Sequence, residues 1–187
     1  LASMAAEPEG YLLSLALPKL NFNHKEWIKK FASGLKEDQD QYCWKLWGGD
    51  TVATTGPITI SVTAVGLVKK GRLISRSTAK PGDFIYVSGT LGDAAAGLEV
   101  IKENFDRFKY KDLIKRYYLP QPRLKLAIEL AELVTSMMDI SDGLLGDLGH
   151  ICKSSSVGAE IFANNIPISL ALNNLFKTRS DYKKLKW

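Results

Sequence analysis

The 187-residue sequence is poor in the residues that build metal clusters and covalent frameworks, with two cysteines and two histidines. Cys43 and Cys152 have no ligand spacing and no histidine cluster beside them, which argues against a zinc site and gives no basis for a disulfide. They read as buried free thiols of a reducing compartment. No apolar run approaches the roughly 20 residues of a bilayer span. The longest, 58–68, is broken by Thr59, Ser61 and Thr63 and reads as a strand. Leu1-Ala2-Ser3-Met4 lacks a basic segment followed by an apolar one, so no secretory leader is expected and the expected compartment is the cytoplasm. Internal repeats, low-complexity tracts and a nucleophile elbow are also absent, so nothing points to a covalent intermediate. The net charge is +5, but the lysines scatter or gather at the tail (Lys177, Arg179, Lys183, Lys184, Lys186) with no basic stripe interleaved with aromatics. Nucleic acid and membrane are therefore not the expected partners, and the charge suits small anionic phosphate substrates.

What is present is an ordinary globular composition, 45% hydrophobic and 24% charged, in a chain long enough to bury a core. Residues 11–17 (YLLSLAL) read as a buried strand stopped by Pro18. Asn23 with Glu26 three residues on predicts a capped helix start, and Trp27, Phe31 and Leu35 give that helix one apolar face. Residues 42–47 read as a short strand ended by Gly48-Gly49. Residues 58–68 read as a long strand, and a turn at Lys70-Gly71 leads to another at 72–77. The heavy punctuation at 79–83 (AKPGD) is the expected domain boundary, dividing the chain into 1–78 and 79–187. Beyond it, strands are expected at 84–88, 137–140 and 158–162. Helices are expected from Gly89–Asp93 through Val100, after Pro120 and Pro122 (Leu124, Ala127, Ile128, Ala131 and Val134 inward), over 142–152, and from Ile166-Pro167 onward; 104–115 reads as a surface excursion. Strands alternating with helices imply an α/β or α+β architecture with crossovers.

The chemistry concentrates in Met138-Asp139-Ile140-Ser141-Asp142-Gly143-Leu144. On a strand, Asp139 and Ser141 would share a face, and Asp142 would sit at the turn into a helix whose N-terminus favours a carboxylate. A lone Ser-Asp-Gly is ordinarily a helix cap. Asp139 in an otherwise apolar strand tips the reading toward a hard cation, because a carboxylate there is costly unless paired or liganded. Asp50, in Gly48-Gly49-Asp50-Thr51, is either a second acid of that site or part of a simple turn. Arg76 is either a phosphate clamp or a surface residue. Ser88-Gly89-Thr90-Leu91-Gly92-Asp93 lacks the Walker lysine and serves either an anion or close helix packing. His24 and His150 pair with no nucleophile. Together the short oxygen side chains and glycines favour a nucleotide-using enzyme.

These residues carry a family resemblance. GGDT (48–51), ITISVTAVG (58–66), PGDFIYVSGTLGDAAAGL (81–98), LPQPRL (119–124) and MMDISDGLLGDLGHIC (137–152) resemble the bacterial thiamine-monophosphate kinase family, within the superfamily of aminoimidazole ribonucleotide synthetase, selenophosphate synthetase and the hydrogenase-maturation dehydratase. The resemblance implies a two-domain PurM-like fold, an N-terminal sheet domain that dimerises into a barrel and a C-terminal α/β domain. It also implies ATP-dependent, magnesium-assisted phosphorylation of thiamine phosphate to thiamine diphosphate by in-line transfer. Carried onto this sequence, magnesium falls to Asp50, Asp139 and Asp142, and ATP contacts fall to Gly49, Asp50, Arg76 and Ser141; no nucleophile or general base is assigned. Ala32 stands where some relatives have an ATP-contacting tyrosine. The family's Gly-Asp-Asp metal motif, its substrate histidine region and its late Gly-Gly-Glu-Asp-type strand have no counterpart here. Both domains are therefore expected to be incomplete and the chain alone to be inactive. The alternatives are another ATP-dependent synthetase or kinase of the superfamily, or a non-catalytic dimerising remnant.

Overall fold

The computed structural model describes residues 1–19 and 23–178. A short 3-10 turn (Ala2–Met4) leads into β1 (Glu7–Pro18), followed by α1 (His24–Tyr42), β2 (Lys45–Thr54) and β3 (Thr59–Leu67). The strands form one sheet in the order β2-β1-β3, with β1 parallel to β2 and antiparallel to β3. Because β1 and β2 run parallel, a crossover is required between them, and α1 supplies it. Tyr11, Leu13, Leu15 and Leu17 alternate inward along β1, and the first three pack under Phe31 and Leu35 of α1 and Trp44. Asn23 caps α1 as the spacing predicts: its side-chain oxygen accepts the Glu26 N–H at 3.2 Å. Tyr42 ends this helix instead of opening a strand.

The Gly48-Gly49 pair does not end a strand. Both glycines lie inside β2, where Leu13 pairs with Gly49 and Ser14 with Asp50. A Cβ on Gly49 would stand 1.7 Å from the Leu13 carbonyl oxygen, so the close approach of β1 and β2 requires glycine there.

The second half is helical: α2 (Asp93–Lys102), α3 (Lys111–Tyr118), α4 (Leu124–Leu130), α5 (Leu144–Ser155) and α6 (Leu170–Thr178). Ala96, Val100, Tyr110, Leu113, Leu172 and Leu175 form the core that binds α2, α3 and α6. The stretch expected as an excursion thus contributes Tyr110 and Leu113 to this core. Gly97 permits the α2–α3 contact, since a Cβ there would lie 2.2 Å from the Leu113 carbonyl oxygen. A smaller core of Ala5, Ile74 and Ala127, flanked by Ala131, Val134 and Met137, joins the N-terminal turn to α4.

Four expected strands (72–77, 84–88, 137–140 and 158–162) are not in a sheet. Their apolar alternation is present, but a strand needs a neighbouring ladder, and among the described residues only β1, β2 and β3 pair with one another. Phe84 and Tyr86 consequently stand 85% and 86% exposed. Two helix starts also fall later than expected, at Leu144 and Leu170, the second capped by the Ser169 hydroxyl on the Leu172 N–H. Cys43 is exposed and Cys152 half-buried, both free, which corrects the expectation of buried thiols. Among the described residues, no helix is long and apolar enough to cross a membrane.

Candidate functional site

The loop before α5 is shaped by one buried carboxylate. Asp147, in the first turn of α5 and 3% exposed, accepts three successive backbone N–H groups on its Oδ2. They come from Ser141 at 2.8 Å, Asp142 at 3.0 Å and Gly143 at 3.1 Å. Successive amides of this kind make an anion-binding concavity. Here the protein's own carboxylate fills it, with the added support of the helix N-terminus. The amides point inward to Asp147, while the residues Asp139, Ser141 and Asp142 are all exposed. Strand alternation does not set the relation of Asp139 to Ser141, since 137–140 joins no sheet.

Asp50 occupies a different setting. It lies mid-strand in β2, in register with Ser14 of β1 and, across β1, Ser61 of β3. These three are exposed on the sheet face opposite α1, and the Asp50 Oδ1 accepts the Thr51 N–H at 2.8 Å. Arg76 is exposed in a turn rather than at a strand end. Its carbonyl oxygen accepts the Ser155 hydroxyl at 3.1 Å, and the Ser155 oxygen in turn accepts the Ala79 N–H. Arg76 is thereby fastened to the last residue of α5, while the acidic loop stands at its first turn, a separation of about 18 Å for 12 residues at 1.5 Å each. Ser136 donates to the Ser75 carbonyl at 2.8 Å, holding the 70s segment to the stretch that enters the loop.

Among the described residues, no three of His, Cys, Asp and Glu gather closely enough to hold a metal ion. Asp50, Asp139 and Asp142 therefore form no ready-made cage. That arrangement still fits magnesium, which is ordinarily held by one or two carboxylates together with substrate phosphates and water. Asp139 and Asp142, exposed ahead of α5, and Asp50, exposed on β2, are carboxylates of that kind. One concavity, of about 490 Å³, is lined by residues that include Thr90, Asp93, Arg116, Arg123 and Ser169 and none of the predicted acids. In the glycine-bearing loop before α2, Asp93 is buried and takes the hydroxyls of Thr90 and Ser169 at 2.7 and 2.6 Å. Those groups join α2 to α6, which favours the packing alternative for that loop.

Asp147 is the residue the sequence reading passed over. Its signal was available: it falls three residues after Leu144, on the inward stripe of α5, where a carboxylate has no apolar reason to be.

Two family models match. AIR synthase related protein, N-terminal domain, covers residues 1–68, and AIR synthase related protein, C-terminal domain, covers 80–182. The chain belongs to the AIR synthase related family. Within it, the chain is 42% identical to thiamine-monophosphate kinase of Escherichia coli K12 over 176 residues, covering 92% of this chain and 53% of that protein. It is 34% identical to the Bacillus subtilis enzyme, covering 94% and 55%. The thiamine-monophosphate kinase structure from Stenotrophomonas maltophilia K279a superposes with a TM-score of 0.85 at 40% identity, covering 93% of this chain and 56% of that one. AaThiL complexed with AMPPCP and TMP superposes at 0.88 and 30% identity, covering 95% and 57%. The chain thus spans about half the length of the relatives it matches. The Escherichia coli hydrogenase maturation protein HypE, at 18% identity and a TM-score of 0.77, shares the fold alone. The two-domain family architecture expected from the sequence is borne out.

Proposed function

We propose that this chain is the central part of an ATP-dependent phosphotransferase that converts thiamine phosphate to thiamine diphosphate. The observation that carries the reading is the turn around Asp147. It commits the loop amides of 141–143 inward and leaves Asp139, Ser141 and Asp142 exposed within four residues ahead of a helix N-terminus. The identity to thiamine-monophosphate kinases, and a neighbour solved with AMPPCP and TMP, supply the substrate class.

In this reading Asp139, Asp142 and Asp50 hold magnesium, which when bound neutralises charge on the nucleotide phosphates. Ser141 and the Gly49–Asp50 backbone orient ATP, and Arg76, at the far end of α5, reaches another part of the same nucleotide. A phosphate oxygen of thiamine phosphate attacks the γ-phosphorus, forming one P–O bond. The bond to the β–γ bridging oxygen breaks, and its electron pair leaves with ADP. The attacking oxygen is already anionic, so no general base is needed and no phosphoenzyme forms.

The same reading places a second copy against β3, an edge strand with Ile60 and Val62 about half exposed on the α1 side and Leu67 62% exposed. Replacing Ile60 and Val62 by lysine would then dissociate a homodimer in sedimentation; an unchanged mass would remove β3 from the interface.

The function is tested with the full-length protein that carries this sequence, given ATP, magnesium and thiamine phosphate. ADP and thiamine diphosphate are expected in equal amounts, with both lost on chelation. A folded protein that leaves thiamine phosphate unchanged, or phosphorylates another acceptor in its place, overturns the assignment.

A further inference from the structure

Asp147 is a buried acidic side chain to which the phosphoryl transfer proposed above assigns nothing. Its Oδ2 gathers the amides of Ser141, Asp142 and Gly143, and its own N–H donates to the Gly143 carbonyl at 3.0 Å. Its Oδ1 is buried with no hydrogen-bond partner. A plain helix cap satisfies one or two amides of the helix's own first turn. This carboxylate instead reaches backward over residues that precede α5, and it closes them into a ring. Gly143, with φ at +119°, supplies the backbone turn that such closure needs.

Two consequences follow from the geometry. The three amides are occupied, so a phosphate group cannot use this loop through its backbone and must be met by side chains. The side chains of Ser141 and Asp142 can hold a fixed spacing only while their amides stay pinned to one oxygen atom.

We infer that Asp147 is a positioning residue for the metal–nucleotide complex: it holds residues 141–143 in the shape that presents Asp142 and Ser141 to a divalent cation bound to polyphosphate. The inference rests on the function proposed above. Asp147 touches neither metal nor nucleotide. It acts through the loop, as outer partners of metal ligands do.

The test uses the full-length protein and manganese as a spectroscopic substitute for magnesium, titrated with a non-hydrolysable ATP analogue and followed by electron paramagnetic resonance. Asp147→Ala should weaken the manganese–nucleotide complex by about 10- to 100-fold. The KM for the metal–ATP complex should rise in parallel, while the KM for thiamine phosphate stays within about twofold. Asp147→Asn keeps one acceptor oxygen for the amides and should recover most of the affinity. Wild-type affinity in Asp147→Ala overturns the inference and leaves the proposed function standing. So does an equal loss for both substrates that Asp147→Asn fails to rescue, which is the signature of a general folding defect. A wild-type protein that binds no manganese–nucleotide overturns both.

Discussion

The sheet and the acidic loop satisfy their backbone amides in opposite ways. In the sheet, the amides of β1 pair with carbonyls of β2 and β3, so each bond is one of a long ladder and the side chains are sorted by alternation. In the loop, three amides depend on a single oxygen of Asp147. A ladder spreads its stability over many residues and is broken chiefly by a steric intrusion between strands. A ring closed on one atom is opened by changing that atom. The first arrangement builds a scaffold, and the second frees the side chains of Ser141 and Asp142 from structural duty. Stability and chemistry are thus expected to separate between the two regions.

The largest effect expected is on the sheet. Gly49→Ala puts a methyl group onto the Leu13 carbonyl oxygen, forcing β1 and β2 apart. A loss of more than about 4 kcal/mol is expected from denaturant unfolding, in the exceptional range for one substitution. The outcome also decides between two roles for Gly49. A glycine kept chiefly for nucleotide contact would lose ATP affinity while its unfolding midpoint held steady. Loss of stability first makes the β1–β2 approach its primary constraint.

Asp142→Asn probes the other region. The side chain is exposed and its backbone N–H bond to Asp147 survives the change, so the unfolding midpoint should hardly move. Turnover should fall by more than roughly 100-fold, the upper end for partners one step removed from a metal ligand. Stability falling in proportion to activity would return Asp142 to the role of a helix cap. Set against Gly49→Ala, this variant gives the double dissociation that the two modes of amide satisfaction imply.

How much of this was legible in the sequence follows from the same contrast. The strands expected at 11–17 and 58–68, which form as Glu7–Pro18 and Thr59–Leu67, and the cap at Asn23 are legible because their causes are local or periodic: alternation, a breaker at Pro18, an Asn-to-Glu spacing of three. The stretches 84–88 and 137–140 carry a similar apolar pattern and form no strand. Strand formation is a relation between two segments, and a pattern reports only one of them. The extent of β2 escapes the pattern for a related reason. Gly48-Gly49 looks like an ending from within its own strand, and only the position of Leu13 across the ladder shows why glycine is needed inside it. At the site, the acids were visible as residue types out of place in apolar surroundings. Their arrangement was not, because it depends on Asp147 reaching back over the start of α5.

The smallest effect expected lies outside both regions, at the turn 80–83 that is tied to Thr135. Asp83 is exposed, and its Oδ2 accepts the Thr135 hydroxyl and, at 2.8 Å, the Lys80 N–H. The Thr135 hydrogen bond first, then the Lys80 amide, hold its carboxyl below the ordinary aspartate value of 3.8. A depressed folded-state pKa means that the unfolded chain binds the proton more readily. The stabilisation is therefore fully present above that ordinary value and is lost as pH falls below it, through the folded-state pKa. At near-neutral pH, wild type should melt slightly above Asp83→Asn, and the gap should narrow as pH falls below 3.8. A gap that persists in acid would mean that the tie between the 80s turn and Thr135 does not depend on the carboxylate charge. Because Thr135 lies only four residues before Asp139, the same titration read through manganese–nucleotide binding asks whether this outer tie reaches the loop at all. Affinity that holds while the melting gap closes would confine loop control to Asp147, and would leave the scaffold and the site as separable as their amides indicate.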